Sequence, residues 1–118
     1  MERYGLTVTA ARSTGETVLA LRGEIDINTV GRFREAVEAE LASTPPLLVL
    51  DMAGVTFCDS TGLGNLVRLS RTAGAQGSPI VLSDVTAALH RVLDMTGLLT
   101  VLTVREAFPG PASGQAVG

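Results

Sequence analysis

The sequence predicts a single α/β domain built on a small mixed β-sheet. The N-terminal segment has the pattern of a β-hairpin, in which two short strands are joined by a tight turn. After it, helix-period segments alternate with short apolar runs, which is typical of parallel strands joined by helical crossovers. The chain has 118 residues, which suits one domain, and it is 46% hydrophobic but only 3% aromatic, so we expect an aliphatic core.

The hairpin is predicted from alternation on both sides of a glycine turn. Residues 5–10 alternate polar and apolar side chains, and residues 17–22 have the composition of a second strand. Residues 14–16 supply a glycine that can adopt a positive φ in the turn between them.

The first helix is predicted from about Thr29 to Leu41, with Asn28 or Thr29 as its N-cap. Charged residues, Glu40 among them, fall between the apolar positions and are expected to face solvent. Pro45-Pro46 follows and ends the helix. The apolar positions at helical spacing are Val30, Phe33, Val37 and Leu41.

The middle of the chain predicts a strand buried on both faces, then a loop and a second helix. Leu47–Leu50 is a continuous apolar run, which is typical of such a strand, and Asp51 closes it. We expect a loop over residues 52–59, followed by a helix that ends near Gly74 and Gly77.

The last part of the domain predicts strand, helix and strand again. A strand is expected at 79–82, a third helix capped by Ser83 or Asp84 and ended by Gly97, and a final strand at 99–104. A further helical turn is possible near Glu106. We expect one domain over residues 1–107 and a disordered tail over 108–118, where the sequence is small, polar and aperiodic.

Composition excludes several classes of function. A single Cys and a single His exclude a disulfide framework and multi-Cys or two-His metal sites, and we expect no metal or cofactor. All nine basic residues are Arg, so neither a Walker-type lysine nor a Schiff-base lysine exists. A net charge of −3 argues against direct nucleic-acid binding. No apolar run approaches the roughly 20 residues of a membrane span, and no signal peptide is recognisable, so we expect a cytoplasmic protein without membrane contact.

The loop before the second helix is the candidate functional site. It follows the carboxyl end of an internal strand, where open α/β sheets place their sites, and Ser60 falls at or just before the start of the helix. One interpretation is structural: Asp59 or Ser60 is an N-cap, and caps of this kind are common. The other is that an exposed hydroxyl at a helix N-terminus accepts a phosphate, which the free N–H groups and the helix dipole would stabilise.

Four ordered segments carry a resemblance to a known family. The sequence Gly23-Glu24-Ile25-Asp26 comes first, and Leu47-Leu48-Val49-Leu50-Asp51 with Val55-Thr56-Phe57 comes second. The loop Asp59-Ser60-Thr61-Gly62-Leu63-Gly64 is third, and Leu93-Asp94-Met95-Thr96-Gly97-Leu98 is fourth. Over residues 5–105 they resemble STAS domains, and in particular the bacterial anti-sigma-factor antagonists. Two residues depart from the pattern. Cys58 stands where the family usually has Met, Ile or another apolar residue, and Asn65 stands where an apolar residue is more usual.

The resemblance implies a switch in a transcription pathway. In this family the unmodified antagonist binds an anti-sigma factor, which is also a serine kinase, and so frees the sigma factor. The kinase phosphorylates the serine that follows the loop aspartate, which is Ser60 here, and a metal-dependent serine phosphatase reverses the modification. By the same resemblance, Asp26 and Asp59 flank the phosphorylation pocket, and Thr61, Gly62, Leu63 and Gly64 complete the segment that meets the partner.

Two other functions compete with this interpretation. A STAS domain could act as an unswitched scaffold, either in a signalling complex or as an accessory to a transporter. An enzyme would need Ser60 as a nucleophile with a base beside it, and the only His, His90, lies on the third predicted helix. The loop also lacks the Gly-x-Ser-x-Gly pattern of hydrolases, so we expect no catalytic residues.

Overall fold

The structure, a computed structural model, describes residues 5–105. One five-stranded sheet has its strands in chain order, with the first pair antiparallel and the others parallel. This architecture confirms the predicted α/β fold with an N-terminal hairpin. The strands are β1 (Leu6–Arg12), β2 (Thr17–Ile25), β3 (Leu48–Cys58), β4 (Ile80–Ser83) and β5 (Thr103–Arg105). The helices are α1 (Val30–Leu41), α2 (Ser60–Gln76) and α3 (Ala87–Met95), and a 3-10 turn, η1, spans Leu98–Thr100.

The helices cover one face of the sheet because every parallel crossover steps in the same direction. Right-handed connections then place α1, α2 and α3 on the same side. Leu48 and Leu50 belong to the core beneath these helices, while Val49 lies on the other face beside Val18 and Val81. All three consecutive β3 residues are buried, so the prediction of a strand buried on both faces is confirmed.

Strand β3 is longer than the sequence predicts. Residues 52–58 continue the strand where a loop was expected, because β2 also extends to Ile25 and pairs with them. Two register irregularities, between Ala20 and Arg22 and between Gly23 and Glu24, interrupt the regular alternation. This irregularity hides the second half of the strand from a period-two pattern.

The predicted cap of the third helix and the predicted last strand are also wrong in detail. Ser83 still belongs to β4, Asp84 adopts a φ of 54°, and the Thr86 hydroxyl caps α3 by accepting from the Leu89 N–H at 3.2 Å. After α3, Gly97 with a φ of 78° leads into η1, so the final strand begins only at Thr103. The left-handed residue ends the helix as predicted.

Helix α1 begins where the sequence predicts, with Thr29 at the N-cap position, but its capping and packing differ. Thr29 has no side-chain cap, because its hydroxyl accepts from the Asp26 N–H at 3.0 Å and donates to the Glu24 carbonyl at 2.7 Å. Glu40 was expected in solvent but is buried, and its carboxylate accepts from Arg12 Nε at 2.9 Å. Arg12 lies on β1, so this partner is visible only after folding.

The first turn of α2 lies against the end of β2, and Gly62 permits that approach. A Cβ at Gly62 would lie 2.8 Å from Cys58 Sγ and 2.9 Å from the Ile25 carbonyl oxygen, both shorter than real Cβ contacts. Gly64, two residues on, has nothing within 4 Å of the same position. The sequence of α2 therefore places a residue without a side chain at the point of closest approach.

Several expectations fall outside the described residues. They concern the N-terminal segment 1–4, the further helical turn near Glu106 and the tail 108–118. Within residues 5–105, none of the helices is long and apolar enough to cross a membrane.

We expect Gly62→Ala to destabilise the fold by about 1–3 kcal/mol, because the added methyl group overpacks the contact with Ile25. Gly64→Ala is the matched control on the same helix. The methyl group added at residue 64 would lie in open space, so this variant should stabilise the helix by up to about 1 kcal/mol, because alanine has a higher helix propensity than glycine. Urea denaturation of the two variants measures both changes, and equal stabilisation of both would contradict the close approach.

Candidate functional site

Two acidic residues meet where β2 and β3 end. Ile25 pairs with Cys58, and the Asp59 N–H donates to the Ile25 carbonyl at 3.1 Å. Asp26 and Asp59 each follow directly after this paired position, so they lie side by side at the carboxyl edge of the sheet. The sequence could predict this neighbourhood only on the condition that the two strand ends were adjacent.

Ser60 is exposed and is the first residue of α2. Asp59 is the N-cap, and its Oδ1 accepts from the Gly62 N–H at 2.9 Å. The hydroxyl of Ser60 makes no hydrogen bond to any residue within 5–105, so it is free to react with an incoming group. The structural interpretation of the loop is therefore correct for Asp59, and it leaves Ser60 available.

Asp26 organises the turn between β2 and α1. Its Oδ1 accepts from the backbone N–H of Asn28 at 2.9 Å and of Thr29 at 3.1 Å. In both Asp26 and Asp59, Oδ1 is the oxygen used by the described residues, and Oδ2 makes no hydrogen bond there. Each carboxylate can therefore hold its own loop and still present an oxygen to a partner.

The remaining loop residues divide between surface and interior. Thr61 is partly buried, and its carbonyl accepts from Asn65 Nδ2 at 3.1 Å. Gly62 and Leu63 are buried, and Leu63 belongs to the hydrophobic core, whereas Gly64 is exposed. Of the expected loop residues, Ser60 and Gly64 are thus the exposed ones.

Asn65 carries an unpaired polar atom beneath this turn. Its Oδ1 is buried and has no hydrogen-bond partner within residues 5–105. A buried acceptor without a partner costs free energy, and we have no physical account of its retention here.

Two large apolar side chains close in sequence to Asp26 and Asp59 are exposed, and the sequence analysis did not identify them. Ile27 is 71% exposed and Phe57 is 52% exposed. In the sequence, Ile27 lies between two polar residues, Asp26 and Asn28. This position was the available sign that its side chain is exposed. A partner that covered these two side chains would remove apolar surface from water.

Cys58 is not a reactive thiol. Burial, and after it the neighbouring Asp59 carboxylate, raises the pKa of the Cys58 thiol to about 12. At neutral pH the thiol is therefore protonated, and the thiolate is the nucleophilic form. Cys58 is partly buried and packs against the core as a small apolar residue.

Within residues 5–105, no side chain is hydrogen-bonded to the Ser60 hydroxyl as an activating base would be. His90 is exposed on α3, and no hydrogen bond joins it to Ser60 within the described part of the chain. Residues 5–105 also contain no group of three His, Cys, Asp or Glu side chains that could hold a metal ion. Chemically, the arrangement offers an exposed hydroxyl beside two carboxylates.

The chain is similar to a protein-family model and to curated proteins. A family model described as "Mlab, STAS domain" matches residues 8–104. An anti-sigma-B factor antagonist of Listeria monocytogenes is 30% identical over 94 residues, which cover 80% of this chain and 82% of that protein.

Solved structures share the fold. An anti-sigma factor antagonist from Mycobacterium paratuberculosis has a TM-score of 0.76 at 28% identity, with 84% of each chain covered. The phosphorylated form of SpoIIAA, a Bacillus cell fate determinant, has a TM-score of 0.67 at 18% identity, covering 91% of this chain and 96% of that one, and this likeness shows the fold alone. The family match and the Listeria relative show that the chain belongs to the STAS-domain family of anti-sigma factor antagonists.

Proposed function

We propose that this protein is an anti-sigma factor antagonist whose binding is switched off by phosphorylation of Ser60. The unmodified form binds a cytoplasmic anti-sigma factor that is also a serine kinase, and the sigma factor is released. A metal-dependent serine phosphatase restores the unmodified form. The observation that carries the proposal is the exposed Ser60 hydroxyl at the start of α2, beside Asp26 and Asp59.

The position of Ser60 favours modification without unfolding. A phosphate on the first residue of a helix lies near free N–H groups and the positive end of the helix dipole. Asp59 already holds the Gly62 N–H, so the first turn of α2 does not depend on Ser60. The domain can therefore carry the phosphate with its fold intact.

The same phosphate opposes binding through charge. A kinase that modifies Ser60 must hold the phosphates of its nucleotide opposite the Ser60 hydroxyl. Phosphoserine carries a charge of about −1.5 to −2, so it faces the remaining nucleotide phosphates and the neighbouring carboxylates of Asp26 and Asp59. Binding removes water from this surface, so the repulsion between these like charges is poorly screened and weakens the complex.

An unswitched STAS scaffold is the alternative that the experiments must separate. It would bind its partner to the same extent whether or not Ser60 carried a phosphate. The relatives named as anti-sigma factor antagonists support the antagonist function, and the exposed Ser60 directly after Asp59 supports the switch.

Incubation with ATP and a kinase-type anti-sigma factor should place one phosphate on Ser60. Ser60 is exposed, whereas Thr61 and Ser70 are partly buried, so the kinase reaches Ser60 most readily. Intact mass and peptide mapping locate the phosphate, and Ser60→Ala is the control that should remain unmodified. Exclusive modification of Thr61 or Ser70 would contradict the assignment.

Ser60→Asp should weaken binding of the anti-sigma factor by about tenfold or more, or about 1.4 kcal/mol, because it adds a negative charge opposite the nucleotide. Ser60→Ala should bind like the unmodified protein and resist switching. Isothermal titration calorimetry measures both affinities. Equal affinities for phosphorylated and unmodified protein would favour the scaffold.

Asp26→Asn and Asp59→Asn should reduce the phosphorylation rate or the affinity for the kinase and leave the fold stable. An amide oxygen replaces the Oδ1 acceptor of each turn, because Asn and Asp rank alike at caps. The melting temperature should therefore change by less than about 4 °C, the smallest shift that 1 kcal/mol produces in a domain near this size. Asp59→Ala is the control that removes the cap as well. If both Asn variants lost stability but bound the kinase and were phosphorylated like the original chain, both aspartates would be purely structural.

A further inference from the structure

Strand β3 extends beyond its neighbour β4. The pairing of these strands covers only Leu48–Asp51 and Ile80–Ser83, after which the chain turns away at Asp84. Residues 52–58 still pair with β2 on one side. On the other side, no strand within residues 5–105 pairs with them. This part of β3 therefore presents a free strand edge, with backbone groups available for hydrogen bonds.

A cleft lies between this free edge and α3, where β4 would continue if it were longer. We call it the β3–α3 cleft. Its volume is about 170 Å³ and its lining carries no charged side chain. An apolar cavity of about 150 Å³ admits benzene, so the cleft has room for one large apolar side chain. The apolar residues that line it are Val55, Phe57, Cys58, Ala88, Leu89 and Val92.

The rim of the cleft is apolar at its mouth and acidic beside it. Phe57 is 52% exposed and Val92 is 38% exposed, so the lining is incompletely covered. Asp59 directly follows Cys58, which lines the cleft. No basic group within residues 5–105 lies within 4.0 Å of the Asp59 carboxylate. A basic side chain from outside would therefore complement this rim.

We propose that an extended segment of the anti-sigma factor docks in the β3–α3 cleft, an inference that rests on the proposed function. The main chain of the segment pairs with the free edge of β3, and one large apolar side chain of the segment fills the cleft. A Lys or Arg beside that side chain contacts the acidic rim. Strand addition of this kind takes its affinity from main-chain hydrogen bonds and its specificity from a side-chain pocket.

Docking in this cleft would hold Ser60 in the kinase. Cys58 lines the cleft and Ser60 is two residues further along the chain, so a segment anchored there fixes the distance between kinase and hydroxyl. A buried apolar anchor at the centre of an interface also contributes most of the binding free energy. The carboxylates near Ser60 would then mainly orient the kinase, and the cleft would supply most of the affinity for it.

Ala88→Trp tests the proposal by filling the cleft from α3, and Ala87→Trp is the matched control. Both alanines are exposed on the same helix, but only Ala88 lines the cleft. Calorimetry with the anti-sigma factor should show at least a tenfold loss of affinity for Ala88→Trp and less than a twofold change for Ala87→Trp. Thermal denaturation should show that both variants fold like the original chain.

A second measurement uses no anti-sigma factor. Random dodecapeptides displayed on phage are selected on the immobilised chain, and enriched peptides should carry a large apolar residue beside Lys or Arg. They should bind Ala87→Trp but not Ala88→Trp, and NMR shifts on binding should map to residues 55–58. A dimer of the chain that dissociates in Ala88→Trp would assign the cleft to a second copy and overturn the proposal.

The outcomes separate the two proposals. Normal binding of the anti-sigma factor by Ala88→Trp, with no peptide enriched, would overturn the docking proposal and leave the proposed function intact. Peptides captured by a chain that binds no anti-sigma factor and is not phosphorylated would overturn the proposed function, and would retain the cleft as a strand-docking site.

Discussion

The junction between the end of β2 and the first turn of α2 is the constraint on which the site depends. The Asp59 N–H donates to the Ile25 carbonyl, and Gly62 lets the helix approach that same carbonyl. These contacts fix where α2 begins, so they fix where Ser60 emerges from the sheet edge. A side chain at Gly62 would displace the helix start, and the hydroxyl and both carboxylates would lose their common surface.

Capping and recognition are compatible in the two loop aspartates because a carboxylate has two oxygens. Asp26 and Asp59 each use Oδ1 to satisfy backbone N–H groups that the turns leave unpaired. The second oxygen of each remains available to a partner or to oppose a phosphate. The structural interpretation makes these residues caps, and the functional interpretation makes them contacts for a kinase. The two interpretations therefore concern different oxygen atoms of the same carboxylates.

Two exposed apolar side chains lie close in sequence to the aspartates of the site. Carboxylates exposed to water contribute little affinity by themselves, since surface charge pairs are screened. Ile27 and Phe57 are the two exposed side chains, and burying such side chains contributes roughly 1.5–3 kcal/mol each. Cys58 adds to this apolar character, because the raised pKa of its thiol keeps it uncharged.

The sequence by itself determined the fold class, the hairpin, the buried Leu47–Leu50 segment and the place of Ser60 at a helix start, because these follow from local periodicity and capping chemistry. Its family resemblance also pointed to the acidic residues that the structure brings together. The tertiary structure alone decided the length of β3, the burial of Glu40 against Arg12, and the exposure of Ile27 and Phe57. Each of these depends on which strand or helix lies alongside, and no local pattern of side chains specifies a partner that is distant in the chain.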